Sequence, residues 1–332
     1  MTLKEIAAQT GYSIATVSRV LNKTGQYSTA SKAYQEITRF AEEMGYKCAA
    51  KKGGLVAVVI PDIENPLFGA IVKTVQELGR EDGLDVIVVN TNESAEQEAH
   101  ALQYLAGINL FGMIYTPVSE VESREFMVRD PRQHSGVPVV LVDRDLRFAS
   151  YDSVFINNVV GAFDATSFLL ERGFRDIAVI TGRLDTKPGR ERLEGYRNAY
   201  EFHGLTCPEE LVFHGDFTVE SGYRATKEIL RVSPRPRAIF STNNLMTRGC
   251  LKALMEAAIP IGTQEPDGIA LASFDNDIIL DVLDLDIPYV QRPMAEMGKI
   301  ALELLKNRAS QPEGNTASVQ RIELNPTLVY KK

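Results

Sequence analysis

The feature that most constrains the fold of this chain is an alternation of short β-branched runs with amphipathic stretches, which starts near residue 55. The runs predict strands at Leu55–Ile60, Val86–Val89, Met113–Tyr115, Val139–Val142, Ile177–Ile180, Ala238–Phe240 and Ile269–Phe274. The stretches between them have the apolar spacing of helices, at Phe68–Glu81, Ala95–Ala106, Val159–Arg172, Arg190–His203, Glu220–Leu230 and Met246–Ala257. Strands that alternate with helices predict parallel sheets that are covered on both faces.

The length of this alternating region predicts two lobes rather than one. Residues 55–331 are more than a single open sheet of ordinary size uses, so we divide them near residue 150. Hydrophobic residues make up 44% of the chain and charged residues 24%, which is globular usage and excludes disordered, fibrous and coiled-coil classes. The predicted fold class is therefore α/β, with two doubly wound parallel-sheet lobes after a separate N-terminal segment.

The distribution of charge sets the first 54 residues apart from the rest. The whole chain has a formal net charge of −8, which argues against a nucleic-acid partner. Residues 1–54, however, contain eight Lys and Arg residues against four Glu residues, a net charge of +4, while the remainder carries −12. Because an acidic surface repels phosphate, we expect any nucleic-acid contact within the basic N-terminal segment.

The N-terminal segment has the pattern of three short helices. A first helix that begins after the capping residue Thr2 is expected to end at Gly11. Ser13 can cap a second helix over 14–21, and a third amphipathic helix is expected over 31–44. Two short helices joined by a glycine turn and supported by a third form a helix-turn-helix. A three-helix bundle without a DNA partner is the alternative.

Three groups of residues in this segment resemble the headpiece of the lactose-repressor family of bacterial regulators. They are Leu3–Ala7, Gly11–Ser13 and Thr16–Asn22. The resemblance implies six DNA-contact residues, with Ile14, Ala15 and Arg19 at base edges and Thr16, Ser18 and Asn22 nearer the phosphates. Arg19 is the side chain among them that can bind a guanine bidentately. The alternative for Thr16 and Ser18 is that they only support the helix.

The segment after this headpiece departs from the family. The family carries a hinge helix here, which wedges a leucine into the minor groove. Residues 47–54 contain no leucine and are too few for two helical turns, and they include Lys51, Lys52 and two adjacent glycines. We therefore expect a short flexible linker without a hinge helix. The alternative function that follows is a sugar sensor with lost or weakened operator binding.

Polar residues follow the predicted strands of the two lobes. They occur at Asp62–Phe68, Asp143–Arg144, Gly182–Arg192, Asn243–Asn244, Asp275–Asn276 and Gln291–Arg292. Ligands of open α/β sheets bind beyond the carboxyl ends of the strands. Carboxylates, amides and guanidinium groups together with Phe68 and Phe217 are a chemical set that suits carbohydrate, because planar polar groups bind hydroxyls and aromatic rings stack on the C–H face of a sugar. An ordinary turn or capping role is the alternative for each residue taken singly.

The order of these loops along 55–330 resembles the type I periplasmic-binding-protein core that lactose-type repressors share with the ribose and galactose binding proteins. The resemblance implies nine ligand-binding residues, namely Asn65, Phe68, Asp143, Arg144, Arg192, Phe217, Asn243, Asp275 and Gln291. In this assignment Arg192 binds a sugar hydroxyl and Phe217 forms a wall that stacks on the ring.

The same resemblance implies the domain boundaries. It predicts a headpiece at 1–46, a linker at 47–54, an N-terminal lobe at 55–150 plus 291–312, and a C-terminal lobe at 151–287 plus 318–330. The chain is expected to cross between the lobes three times, near 147–153, 286–290 and 312–318. The apolar faces of the helices at 68–82 and 294–306 are expected to supply part of a dimer surface.

Enzymes are the main competing class. The sequence contains no GxGxxG, GxxxxGK[ST], GxSxG or HExxH motif, and its four histidines are isolated from one another. Asp62, Asp143 and Asp275 could form an acid/base set, but neighbouring arginines and amides would keep them ionised acceptors. We expect no catalytic residues, no metal and no cofactor.

The cellular compartment is predicted from cysteine usage and hydropathy. Cys48, Cys207 and Cys250 are odd in number and far apart, which is typical of a reducing cytosol and excludes a disulfide scaffold or a CxxC zinc site. No apolar run approaches the ~20 residues that a membrane span needs, and the N-terminus lacks a signal-peptide pattern. We expect a cytoplasmic protein without a membrane partner.

The predicted function is a ligand-responsive DNA-binding transcriptional regulator, preferentially a repressor, with an allosteric sugar site between the lobes. Its expected partners are double-stranded operator DNA, a sugar or sugar phosphate effector, and further copies of the chain in a homodimer or tetramer. Four cations could bind the phosphate group of a phosphorylated sugar, namely Arg144, Arg183, Lys187 and Arg190. The alternative is that they are ordinary surface charges. A nucleobase-responsive repressor and a sugar-processing enzyme are less favoured, and induction and corepression both remain open.

Overall fold

Three short helices lead into two six-stranded sheets in the part of the chain that the structure describes. The structure is a computed structural model, and it describes residues 3–21, 31–43, 54–120, 123, 137–147, 150–262, 267–311 and 318–330. The chain divides into two compact units, one with the N-terminal helices and one with both sheets. Asn22 and the predicted linker residues 47–53 lie outside the described residues.

The elements are numbered in chain order. The helices are α1 (Leu3–Thr10), α2 (Ile14–Leu21), α3 (Lys32–Glu43), α4 (Pro66–Glu81), α5 (Ala95–Leu105), α6 (Asn158–Glu171), α7 (Lys187–Phe202), α8 (Val219–Ile229), α9 (Asn244–Glu256), α10 (Ile278–Val282) and α11 (Met294–Ala309). The strands are β1 (Gly54–Ile60), β2 (Leu84–Asn90), β3 (Gly112–Tyr115), β4 (Val139–Val142), β5 (Asp152–Ile156), β6 (Ile177–Thr181), β7 (Val212–His214), β8 (Ala238–Ser241), β9 (Ala270–Phe274), β10 (Tyr289–Gln291), β11 (Arg321–Leu324) and β12 (Thr327–Val329).

The N-terminal unit is a small helical bundle whose first two helices are joined by a glycine turn. Gly11 has a φ of +72°, a left-handed conformation that glycine adopts without strain, and its N–H donates 3.0 Å to the carbonyl of Ala7. Ser13 caps α2, because its hydroxyl accepts a 3.1 Å bond from the N–H of Thr16. The buried core of the bundle consists of Ile6, Ala7, Val17, Val20, Ile37 and Ala41. The predicted helix-turn-helix is confirmed.

The first lobe is built on a sheet with the strand order β11-β5-β4-β3-β1-β2. The strands β1, β3, β4, β5 and β11 run parallel. The residues of β1, β3, β4 and β5 are nearly all buried, as expected for a sheet covered on both faces. α11 packs on this sheet and lies close to α4, since a Cβ at Gly298 would lie 3.1 Å from the carbonyl of Ile71.

The contribution of α4 and α11 to a dimer surface stays a prediction. The apolar faces of the two helices are buried within their own lobe, at Leu67, Phe68, Ile71, Val75, Met297, Ala301, Leu302, Leu304 and Leu305. The sequence pattern revealed the apolar faces but not the surface against which they pack.

The second lobe is built on a sheet with the strand order β12-β10-β9-β8-β6-β7. Its strands are parallel except for β12, which runs antiparallel to β10. α6 and α7 cover one face and α8 and α9 the other, each over its own apolar cluster. The two doubly wound parallel lobes of the predicted fold class are confirmed.

The sheet pairings move all three of the predicted crossings between the lobes. β5 lies in the first sheet beside β4, with Val140 opposite Asp152, although residues 151–156 were assigned to the second lobe. β11 also pairs with β5, so only β12 of the C-terminal stretch joins the second sheet. The chain therefore changes lobe after Ile156, after Gln291 and after Leu324 rather than at the predicted places.

β5 was missed because it begins with two polar residues, which a buried strand rarely does. Asp152 is buried and accepts two hydrogen bonds from Arg308, at 2.6 and 2.7 Å. Its side chain also accepts from the backbone N–H of Gln320 at 2.8 Å. The partner arginine lies more than 150 residues away in the sequence, so its compensation of the buried charge could not be read from the local pattern.

Candidate functional site

Two aspartates stand where the central strands of the two sheets end. Asp143 follows β4 of the first lobe and Asp275 follows β9 of the second. Both have left-handed backbone conformations, with φ of 65° and 73°, which non-glycine residues adopt at a cost of about 1–3 kcal/mol. Both carboxylates are also buried, at 5% and 1% exposure. Strain and buried charge at the carboxyl ends of parallel strands are typical of a ligand site.

Arg292 joins these two carboxylates. It follows β10, and its Nη1 donates 2.7 Å to Asp143 while its Nε donates 2.5 Å to Asp275. A second bond from Nη2 to Asp275 makes that pair bidentate. Burial lowers the pKa of Arg292, but the two aspartates outweigh it and hold the pKa above its usual value. One guanidinium therefore links a carboxylate from each lobe.

Arg192 lies beside this bridge, on α7 of the second lobe. Its Nε donates 2.9 Å to Asn158 and its Nη1 donates 2.7 Å to the carbonyl of Thr242. Its guanidinium lies 3.7 Å from the centre of the Phe274 ring. Burial and the nearby charge of Arg292 lower the pKa of Arg192 to about 10. No carboxylate lies within ion-pair distance of Arg192 among the residues that the structure describes.

Arg144 contributes a third buried guanidinium, from the first lobe. It donates to Glu93 through two bonds of 2.8 and 2.5 Å and to the carbonyl of Val118 at 3.0 Å. It also lies 5.4 Å from the centre of the Phe217 ring, which belongs to the second lobe. Arg144 thus faces the opposite lobe with a charge that Glu93 balances.

Phe217 is held in place by Asn243 and Gly182. Asn243 caps α9 by accepting a 2.8 Å bond from the N–H of Met246, and its amide donates 3.0 Å to the carbonyl of Phe217. A Cβ at Gly182 would lie 1.8 Å from the Phe217 ring, so only glycine admits the ring in this position. The close approach explains why a glycine follows β6.

Six of the nine predicted ligand residues come together in this cluster. They are Asp143, Arg144, Arg192, Phe217, Asn243 and Asp275. Asn65 has a local role, because its side chain caps α4 by accepting a 3.0 Å bond from the N–H of Leu67. Phe68 occupies a core position at 2% exposure. No hydrogen bond joins either residue to the cluster among the described residues.

Gln291, the last of the nine predicted ligand residues, lies outside the buried cluster, which contains its neighbour Arg292 instead. Gln291 is exposed on β10, while Arg292 next to it is buried at the centre of the cluster. Sequence reasoning also missed Glu93, Asn158 and Thr242 as partners of the buried guanidinium groups. The polar pair Gln291–Arg292 after a strand was the available signal, and the role of Gln291 in ligand binding stays a prediction.

The headpiece offers a second candidate site, on α2. Ile14, Ala15 and Arg19 are exposed, whereas Val17 and Val20 on the same helix are buried in the bundle core. Thr16 is half-buried, and its hydroxyl lies 2.8 Å from that of the capping residue Ser13. Ser18 is half-buried as well. The exposed residues form a surface that is free of the core.

Two kinds of feature are absent from the described part of the chain. No group of three His, Cys, Asp or Glu residues with metal-binding geometry occurs there. No helix among those residues is both long enough and apolar enough to cross a membrane.

The helix-turn-helix and the two-lobed core have relatives among known proteins. Residues 2–48 match the family described as "Bacterial regulatory proteins, lacI family", and residues 166–332 match a periplasmic binding protein-like domain. The ribose operon repressor of Escherichia coli K12 is 30% identical over 99% of this chain and 98% of its own length. The transcriptional regulator DegA of Bacillus subtilis is 29% identical over 99% of this chain and 97% of its own length.

A solved structure extends the likeness to three dimensions. The transcriptional regulator CelR in complex with cellobiose is 29% identical and superimposes with a TM-score of 0.72. The match covers 99% of this chain and 98% of that one, so it includes both the headpiece and the core. The chain therefore belongs to the lacI family of bacterial regulatory proteins and is a DNA-binding transcriptional regulator with a periplasmic-binding-protein-like core.

Proposed function

We propose that this regulator binds a sugar effector between its two lobes and that binding changes its affinity for operator DNA. The observation that carries the proposal is the Asp143–Arg292–Asp275 bridge, in which side chains from the carboxyl ends of both sheets meet in one buried polar cluster. A ligand that bonds to this cluster contacts both lobes at once. It can therefore favour one angle between them over another.

The chemistry of the cluster suits a polyhydroxylated ligand. Asp143 and Asp275 retain lone pairs that accept from hydroxyl groups, and Arg192 can donate to a ring or hydroxyl oxygen. The Phe217 ring offers an apolar face for the C–H side of a sugar. The relatives named as a ribose operon repressor and as a regulator in complex with cellobiose support a sugar as the effector class.

The output of the regulator is proposed to run through the exposed surface of α2. Ile14, Ala15 and Arg19 would contact base edges, with Thr16, Ser18 and Asn22 nearer the phosphates. Arg19 can bind the O6 and N7 atoms of guanine with two hydrogen bonds. A homodimer that places two such helices on a palindromic operator in the cytoplasm, with repression as its output, completes the proposal.

The size of the response follows from general linkage. An effector that prefers one lobe angle couples to DNA binding by about 1–3 kcal/mol, or roughly 5–150-fold in affinity. Coupling of that size requires the effector to bind more tightly at one lobe angle than at the other. A cluster shared by both lobes can provide this difference in affinity.

A thermal-shift panel tests the proposed function. The purified full-length protein is titrated with pentoses, hexoses, cellobiose and purines, and each compound that raises Tm is then titrated by calorimetry. We expect at least one sugar, and no purine, to stabilise the protein, because a ligand that binds only the folded state raises Tm with concentration. A panel in which purines alone stabilise the protein would exclude the sugar effector.

A further inference from the structure

The cations that line the gap between the lobes are already paired with carboxylates. Arg183 follows β6, and it bonds to Asp185 at 3.0 and 2.5 Å and lies 3.7 Å from Glu93 of the first lobe. Glu93 in turn holds Arg144 with two hydrogen bonds. These two arginines are candidates to bind a phosphate on the ligand, and Glu93 stands at hydrogen-bond or ion-pair distance from both.

The same arrangement recurs on α7. Arg190 donates 2.6 Å to Glu120, a first-lobe residue that is 4% exposed. Lys187 pairs with Glu191 on the same helix and lies 3.7 Å from Glu323. Each of the four cations that could hold a phosphorylated sugar thus has a carboxylate partner.

A cavity of about 590 Å³ lies next to the Arg190–Glu120 and Lys187–Glu191 pairs. Its lining includes Glu120, Asp145, Arg147, Lys187, Arg190 and Arg321. Asn158 connects it with the buried cluster, since the Asn158 side chain bonds to Arg192 and also donates 3.1 Å to Glu191 of the cavity wall. The volume is that of an ordinary small-molecule site.

Glu120, in the wall of this cavity, has one carboxylate oxygen that can still accept a hydrogen bond. Its Oε2 accepts from Arg190, while its buried Oε1 has no hydrogen-bond partner among the described residues. A buried acceptor without a donor costs about 1–3 kcal/mol, and a ligand hydroxyl would remove that cost. A phosphate oxygen, which only accepts, would instead be repelled.

Glu93 is presented to the gap by a strained backbone. Asn92 and Glu93 are consecutive left-handed residues, with φ of 51° and 52°. The conformation is fixed by a 2.7 Å bond from the N–H of Glu93 to the carbonyl of Pro61. Strain of about 1–3 kcal/mol per residue persists where the surrounding structure enforces it, and it is concentrated at functional sites.

We propose that Glu93 and Glu120 are specificity-determining residues, which restrict the effector to an uncharged sugar by neutralising the cations that would otherwise bind a phosphate. The inference rests on the proposed sugar-sensing function and names the charge class of its ligand. A phosphorylated sugar would have to displace a carboxylate from each arginine and would then lie beside the negative charges of Glu93, which is half-buried, and of Glu120, which is buried. Like charges in a partly buried site disfavour such a complex.

Matched pairs of ligands test this selectivity. The wild-type protein is titrated with D-ribose and D-ribose 5-phosphate, with D-glucose and D-glucose 6-phosphate, and with cellobiose, by thermal shift and calorimetry. We expect an uncharged sugar to bind and the phosphorylated member of its pair to bind at least tenfold more weakly. A phosphorylated member that binds as tightly as its uncharged partner would overturn the proposal while leaving the sugar-sensing function intact.

Two variants test the assigned residues. Glu120→Gln and Glu93→Gln keep an acceptor for Arg190 and for Arg144, respectively, but remove the negative charge. In each variant, the ratio of the affinity for the uncharged sugar to the affinity for its phosphorylated partner is expected to fall about tenfold, because a cation becomes available to the phosphate. The matched control is Glu209→Gln, which removes the exposed carboxylate that bonds twice to Arg197 further along α7. It should leave the preference unchanged.

Two further outcomes separate the specificity assignment from the sugar-sensing function. An unchanged preference in both glutamate variants, with wild-type circular dichroism, would overturn the specificity assignment. If no sugar, cellobiose included, shifts Tm in the wild type, the sugar-sensing function fails and the selectivity proposal falls with it.

Discussion

Arg292 bonds to Asp143 at 2.7 Å across 149 positions of sequence, and this pair links the second lobe to the first inside the polar cluster. The same guanidinium holds Asp275 of the second lobe through two further bonds. Two buried carboxylates therefore depend on one side chain, and the structure predicts how the protein responds when that side chain is changed.

Arg292→Gln should strongly destabilise the core. The variant leaves Asp143 and Asp275 buried without their cation, and breaking a buried ion pair costs about 3–5 kcal/mol. The measurement is the free energy of unfolding in urea. Arg197→Gln is the matched control, because it breaks an exposed arginine pair with Glu209 and should cost less than about 1 kcal/mol. Equal losses of unfolding free energy in the two variants would show that the Asp143–Arg292–Asp275 bridge stabilises the core no more than an exposed ion pair does.

Glu98→Gln should change the pH dependence of stability. Burial raises the pKa of Glu98 above its usual value, despite the hydrogen bonds it accepts from Ser123 at 2.6 Å and from the N–H of Val118 at 2.7 Å. A carboxyl whose pKa is raised by folding binds its proton more tightly in the folded state. Its contribution to the free energy of unfolding therefore increases as pH falls toward the folded pKa and decreases as pH rises through it.

The glutamine variant removes this titration while keeping groups that can bond to Ser123 and Val118. We expect it to be at least as stable as the wild type at pH 7 and to lose part of the gain that the wild type shows on acidification. Urea unfolding between pH 7 and pH 5 measures both effects. Glu96→Gln, an exposed change on the same helix, should retain the wild-type profile. A profile of Glu98→Gln that coincides with that control would contradict the burial argument.

Arg192→Ala should weaken the binding of the sugar that gives the largest thermal shift. The variant removes a buried donor to the proposed ligand, which is worth about 1.5–3 kcal/mol or roughly 10–150-fold in affinity. Calorimetry measures the loss, and circular dichroism checks that the lobes remain folded. Arg231→Ala removes an exposed arginine from the same lobe and should leave the affinity unchanged. Unchanged affinity in Arg192→Ala would remove Arg192 from the site.

Arg19→Ala should weaken sequence-specific DNA binding without changing the affinity for the sugar. A bidentate contact to guanine discriminates by about 1–3 kcal/mol, and Arg19 is exposed on α2 where such a contact can form. Lys32→Ala removes the same charge from α3, where the lysine pairs with Glu36 at 3.7 Å, and should retain discrimination. Fluorescence anisotropy with selected and random DNA distinguishes the variants. A discrimination between selected and random DNA in Arg19→Ala that equals the wild-type value would exclude Arg19 as the base-reading residue.

The parts of the fold with local signals could be predicted from the sequence. The helices of the headpiece follow from the spacing of Val17 and Val20 and from the glycine at position 11, and α2 has the predicted bounds. The central strands follow from their continuous apolar runs, of which β4 was predicted with its observed ends. These elements obey rules that act over fewer than about ten residues.

The parts that depend on distant partners could not be predicted in the same way. β5 is a buried strand only because Arg308 neutralises Asp152. The importance of Arg292 over Gln291 depends on carboxylates 17 and 149 positions earlier in the chain. The pairing of Arg144 with Glu93, which bears on the charge of the ligand, spans 51 positions. A polar residue after a strand indicates a site, but its partners decide what the site binds.

The most direct test of the central claim is the affinity of the wild-type protein for its operator, with and without the sugar. An operator is first selected from random DNA, and binding is then measured by fluorescence anisotropy at fixed salt in the absence of sugar and at saturation with the sugar that gives the largest thermal shift. The account predicts that the sugar changes operator affinity by roughly 5–150-fold, in either direction. Equal affinity with and without the sugar, or a selected sequence bound no more tightly than random DNA, would contradict it.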